Sequence, residues 1–209
     1  MYYCQEDVII IATKDLRIKK TEYAIKQAFW DLLYQGSYQK ITVNKIATQA
    51  QVNHSTFYKH YVNKDELLMA VENDLLSEFK EMTQQVPASL LESKINPEQP
   101  QLENYYQQLV LFVYRNGKKF SALLDTTGDH SFINKLISTD QEIWQEKHLL
   151  ERLAIPKRYA STALIGMALN LISEWVKSDF QETPQEFLDI MKKLLAPFFS
   201  ENLLFHSDE

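Results

Sequence analysis

QAQVNHSTFYKHYVNKDELL, residues 49–68, concentrates its information in nine residues, NHSTFYKHY (53–61). Asn53, His54, Ser55 and Thr56 are small or polar, and then Phe57, Tyr58 and Tyr61 arrive interleaved with Lys59 and His60. A segment built only to pack has no use for four consecutive polar side chains. One built only to be solvated has no use for three rings. Asn53 is a good cap for a short helix, because its side-chain oxygen can accept from a free amide of the first turn. On such a helix Phe57 and Tyr61, four apart, fall on one side and join Val52 inward. The helical wheel turns His54, Ser55, Tyr58 and Lys59 outward, with Thr56 and His60 flanking. One face packs, and the other carries hydrogen-bonding groups of modest length, suited to base edges in a major groove.

Upstream, Thr42 can cap a second short helix whose Val43, Ile46, Ala47 and Ala50 make one apolar face. The tight turn at Gln51–Val52 joins it to the first, and together they read as a helix-turn-helix unit. Lys59 and Lys64 add charge for phosphates on either side. An amphipathic helix over 15–34, with Ile25, Phe29, Leu32 and Leu33 at helical spacing, precedes the unit, and Gly36 is placed to end it. Asn63 followed by Glu66 resembles a capping box opening a longer helix, whose inner face is Leu67, Leu68, Val71, Leu75 and Phe79.

The block ITVNKIATQAQVNHSTFYKHYVNKDELLMAV (41–71) resembles the DNA-binding domain of TetR/AcrR-family transcriptional regulators, and with the preceding helix the resemblance covers about 15–71. WVKSDFQETPQEF (175–187) is similar to the join between the last two helices of many members. The resemblance implies a homodimer with a ligand-binding body, usually a repressor that leaves its double-stranded operator when a small molecule binds. On matching positions it implies DNA contacts by Thr42, Lys45, Ser55, Thr56, Tyr58, Lys59, His60 and Lys64, to which the wheel adds His54. Tyr58 and Lys64 are expected on phosphates. Many members have glycine where this chain has Gln51. If that position is left-handed, the side chain costs about 1–2 kcal/mol.

Charge divides the chain in the same place. Net charge is −6, yet Lys14 to Lys64 holds nine lysines and arginines against three acids, while the rest holds 13 basic and 25 acidic residues. A basic head beside an acidic body suits a head that meets an anion. One cysteine, Cys4, rules out a disulfide framework and any all-cysteine metal site, and no run approaches a membrane span. A cytoplasmic protein is expected. Enzyme chemistry has no foothold. The four glycines (36, 117, 128, 166) are too scattered for a phosphate loop, and Asp129-His130 beside Ser131 is a loop dipeptide. No histidine has glutamate three residues before it, and no carboxylate or cysteine accompanies His54 and His60 at ligand spacing. Neither metal nor cofactor is expected.

The expected fold is all-α: a three-helix helix-turn-helix domain over 15–71 after an extension at 1–14, then a ligand-binding and dimerisation domain over 72–209. Residues 83–101, with three prolines, are expected to be irregular. Helical patterns resume at about 102–115, 118–125, 130–153 and 157–178, and a last helix opens at Thr183-Pro184-Gln185-Glu186. Rings at helical spacing in the body are core by default. A pocket between helices would be lined by Phe112, Phe120, Phe132, Trp144 and Met167. Small and apolar positions on the last two helices give Ala163, Met167, Leu171, Leu188, Met191, Leu195 and Phe198 as the dimer surface. An alternative is a regulator controlled by a protein partner, possibly an activator, in place of a metabolite.

Overall fold

The computed structural model describes residues 5–84, 100–126, 131–146 and 155–200, with side chains described over 15–84, 103–124, 132–146, 155–156 and 158–195. Every regular element among these is helical, and the chain divides into two units, Met1–Asn73 and Asp74–Glu209.

In the first unit α1 runs Gln5–Gln35, ten residues earlier than the apolar periodicity indicated. Its inner face, Ile25, Ala28, Phe29 and Leu33, is buried. Gly36 follows without a left-handed φ. A single 3-10 turn, Tyr38–Lys40, leads to α2 (Val43–Gln49), which packs against α1 through Ile46 and Ala47. Next is α3 (His54–Tyr58), then α4 (Lys64–Gln84), within which the boundary between the units falls. Only five residues long, α3 has far too few internal hydrogen bonds to persist unaided. It is held by Phe57, wholly buried, a side chain whose removal from water contributes about 1.5–3 kcal/mol.

The turn before α3 is a complete Schellman ending. Val52 N–H donates to Ala47 O (2.9 Å) and Gln51 N–H to Thr48 O (3.1 Å), with Gln51 at φ 55°. The chain therefore accepts a glutamine in the left-handed region, where its Cβ is unfavourable.

The second unit contains α5 (Pro100–Arg115), α6 (Gly117–Thr126), α7 (Ser131–Glu146), α8 (Lys157–Lys177) and α9 (Pro184–Ser200). Residues 147–153 of the expected third body helix, and most of the expected irregular stretch, lie outside the described residues. Neighbouring pairs are α5 with α9, α7 and α6 with α8, and α8 with α9. The end of α8 repeats the motif found in the head: Phe180 N–H donates to Trp175 O, Asp179 N–H to Val176 O, and both Asp179 and Phe180 have φ 57°. Here the apolar contact that accompanies the motif is large. Phe180 meets the Trp175 ring edge-on at 4.9 Å and Tyr114 at 5.4 Å, and Trp175 stacks on Phe187 at 4.1 Å. The Phe180 ring also covers Gly117, where any Cβ would lie 2.6 Å from it. Trp175 Nε1 donates to Glu182 O, so the indole's one polar atom is satisfied. α9 then opens on the expected capping box. Glu186 N–H donates to Thr183 Oγ1, and the Thr183 hydroxyl first, then the Thr183 N–H, donate to Glu186 Oε2 and hold that carboxyl below its usual pKa.

Candidate nucleic-acid interface

Local hydrogen bonds set the outward face of α3. Asn53 Oδ1 accepts from Thr56 N–H at 2.7 Å and from Ser55 Oγ at 2.7 Å, which closes the first turn and fixes the serine hydroxyl. His54 Nε2 lies 3.0 Å from Asn44 Oδ1 on α2, an acceptor that selects the tautomer protonated on Nε2. His54, Ser55, Tyr58 and Lys59 are exposed, while Thr56 and His60 are half-buried, so exposure follows the helical wheel. Tyr58 is 55% exposed although its ring meets the edge of Phe57, which leaves the hydroxyl free to reach an anion. Tyr61 is buried with its hydroxyl on Glu22 of α1.

The other expected contacts bracket the 3-10 turn. Thr42 Oγ1 accepts from Lys45 N–H, capping α2 as expected, and Lys45 Nζ donates to Lys40 O at 2.9 Å. Lys64 is also bonded within the head. Its ammonium donates to the carbonyls of Tyr38 and Ile41, 3.1 Å each, and sits 4.2 Å from the centre of the Tyr38 ring. Two of its three donors are therefore engaged inside the head, and Lys64 ties the start of α4 to the turn before α2. The Tyr38 hydroxyl donates to Asp65, and burial first, then this bond, push its pKa up. The capping box at α4 also closes one residue off. Glu66 N–H donates to Asn63 Oδ1 at 2.8 Å, but the Glu66 carboxylate receives Val62 N–H instead of that of Asn63.

In the body, Phe120 and Phe132 are buried and Phe112 half-buried, and they form one chain of contacts with Phe79: 6.1 Å from Phe79 to Phe112, 6.0 Å on to Phe120, 5.8 Å on to Phe132. Trp144 and Met167 are half-buried and outside that chain. The surface expected for a partner needs correction. Leu188, Met191 and Leu195 are buried within the unit itself, because α9 turns that stripe toward its own neighbours α5 and α8. Among its described side chains, the large apolar ones α9 leaves exposed are Ile190 (38%) and Leu194 (46%). On α8 Ala163 is exposed and Met167 and Leu171 are half-buried, while the Phe198 side chain lies outside the described residues. Asp140, which periodicity reading passed over, lies on the inner side of α7 with a buried carboxylate oxygen that has no hydrogen-bond partner among the described residues. Its signal was present: an acid four residues after Leu136 and three before Ile143, both buried. Among the described residues no three His, Cys, Asp or Glu side chains gather as a metal site, and no helix is long and apolar enough to cross a membrane.

A capped reading helix in a small helical head, followed by an all-helical second unit, defines the class: a helix-turn-helix DNA-binding transcriptional regulator. Residues 27–71 match the family model described as bacterial regulatory proteins, tetR family, and residues 100–197 match a transcriptional regulator C-terminal region of the same family. The chain belongs to the TetR family of transcriptional regulators. Two curated relatives are each 38% identical: the uncharacterized HTH-type regulator YxbF of Bacillus subtilis over 58 residues, and the dhaKLM operon transcriptional activator DhaS of Lactococcus lactis over 63. These matches cover 27% and 28% of this chain, and only 15% and 34% of those proteins. Among solved structures, a TetR regulator from Streptococcus agalactiae superposes with TM-score 0.67 at 24% identity, over 89% of this chain and 99% of that one. FadR of Bacillus subtilis, solved with stearoyl-CoA, gives 0.63 at 16%, over 83% and 97%. At these identities the likeness shows the fold.

Proposed function

We propose that the chain is a homodimeric, ligand-responsive repressor that binds its operator through α3 and releases it when a small molecule enters the body. One observation carries the reading: His54, Ser55, Tyr58 and Lys59 all stay exposed on a helix that is held in place mainly by its Asn53 cap and the buried Phe57 ring. Ser55 and Thr56 read base edges, and Tyr58, Lys59 and the basic middle stretch of α1 lie on phosphates. The third donor of Lys64 is available to a phosphate as well. Two heads engage half-sites about one helical turn apart, ~34–36 Å. Exposed apolar positions on α8 and α9, chiefly Ala163, Ile190 and Leu194, supply the dimer contact.

Selection from a random duplex pool, followed by footprinting, tests this reading. The selected site should be palindromic, binding should weaken steeply with salt, and Ser55→Ala should change the preferred bases while Lys59→Ala weakens all sequences alike. A selected pool without dyad symmetry, or one unchanged by Ser55→Ala, overturns the docking. Leu194→Glu should leave stability within about 0.5 kcal/mol yet sediment as a monomer with operator affinity lost. Activation in place of repression is the second reading, favoured by the name of the Lactococcus relative, an operon activator whose match is confined to 63 residues. A reporter fused to the selected site decides the sign.

A further inference from the structure

Asp140 is out of keeping with its surroundings. The inner side of α7 is otherwise Phe132, Leu136 and Ile143, all buried, and Asp140 brings a carboxylate to that side with Oδ1 enclosed and unbonded among the described residues. An isolated carboxylate is among the costliest groups to remove from water. Burial alone raises its pKa to about 7. The groups it faces are polar too. Tyr105 and Tyr106, adjacent rings on α5, both have hydroxyl pKa values raised by burial first and then by the charge of Asp140. The Tyr105 hydroxyl is hydrogen-bonded with Thr83 of α4. The cation on the adjoining stretch of α4, Lys80, is engaged elsewhere, by Glu146 at 3.0 Å and Glu142 at 3.9 Å. Asp140, Tyr105 and Tyr106 each keep some accessible surface although the Asp140 Oδ1 atom is enclosed.

The same three helices carry three of the four rings in the chain, the fourth being Phe120 on α6. Phe79 precedes Thr83 by one turn of α4, Phe112 follows Tyr105 by two turns of α5, and Phe132 precedes Asp140 by about two turns of α7. All three spacings place the rings toward one end of the bundle and the polar groups toward the other, roughly 6–12 Å apart along the helices at 1.5 Å per residue. We infer that this part of the body binds an amphiphilic cation, with an ammonium head held by Asp140 and the phenols of Tyr105 and Tyr106 and an apolar portion lying along the phenylalanines. An ammonium supplies three donors to acceptors that otherwise have too few, and aromatic faces add to its attraction. An anionic head would place like charge against Asp140, and a neutral one would leave the carboxylate unpaired. The inference rests on the proposed reading of the body as the effector-binding unit and adds the chemistry of the effector.

Octylamine, octanol and octanoate share a tail and differ in head charge, so calorimetric titration of the full-length protein with each tests the inference. Octylamine should bind at least about tenfold tighter than octanol, equal to about 1.4 kcal/mol, and octanoate weakest. Asp140→Asn should bring octylamine down to the octanol level, and Tyr106→Phe should lower it by a smaller factor. Octanoate binding as tightly as octylamine, an octylamine advantage that survives Asp140→Asn, or no octylamine binding at millimolar concentration overturns it. If the asparagine variant fails to fold, the ranking on the unaltered protein decides alone. Operator affinity is measured separately. A charge preference with no effect on the operator leaves this site standing and removes the regulatory reading. Operator release by octanol or octanoate as readily as by octylamine does the reverse.

Discussion

Two helix endings in this chain use the same hydrogen bonds and are held in different ways. In the head, α2 stops at Gln51, where backbone bonds from Val52 to Ala47 and from Gln51 to Thr48 close the turn between near neighbours in the chain. In the body, α8 stops at Asp179 and Phe180 drives its ring between Trp175 and Tyr114 and onto Gly117, residues up to 66 positions away. Neither ending has the glycine that a left-handed residue favours. The head tolerates this through local bonding, whereas the body offsets it with aromatic contacts between distant helices. Local order is visible in a sequence and distant order mostly is not.

Four measurements would break or sharpen that contrast. Phe57→Ala removes the one ring that holds α3 and should cost about 3–5 kcal/mol. Hydrogen exchange resolved by segment should lose protection over α2 and α3 and keep it in α8, and equal loss in both would show that the units do not hold themselves separately. Asp140 comes next. Its folded pKa near 7 stands above the unfolded value of about 4. The folded state thus keeps its proton longer, and stability present below pH 4 is lost as pH rises toward 7, up to about 4 kcal/mol at 1.36 per unit. The stability gained by Asp140→Asn should therefore grow from pH 4 to 7 and then level off, and a difference independent of pH would place the proton elsewhere. Gly117→Ala should lower stability by about 1–3 kcal/mol because Phe180 must leave its seat, measured by urea midpoint. Smallest is Gln51→Gly, which should raise stability by about 1 kcal/mol, while Asp179→Gly should gain less because the Phe180 ring already fixes that turn.

How much was legible follows the same division. The caps at Thr42, Asn53 and Thr183, the inner Phe57 and Tyr61, and the outward four of α3 are all set by residues within a turn or two of each other, and each was readable from spacing. Gln51 was readable too, because a left-handed position has a local cause. The carbonyl bonds of Lys64 were not readable from spacing, since the two acceptors lie 23 and 26 residues upstream. The buried stripe of α9 was assigned to a partner because apolar periodicity says that a face is covered and not by what. Asp140 was overlooked for a simpler reason: one acid among apolar neighbours looks like a break in a pattern until its burial is known.

The reading helix has one further consequence, for how such a regulator can change its target. Four side chains of α3 and its C-cap point to solvent, and what keeps the helix in place is Asn53 before them and Phe57 beneath them. On the proposed docking, recognition and folding thus use largely different residues of α3 and its C-cap. Exchanging Ser55, an exposed side chain bonded to its own cap, should alter which operator is chosen at little thermodynamic penalty, so a new specificity is reachable by one substitution in a head that stays folded.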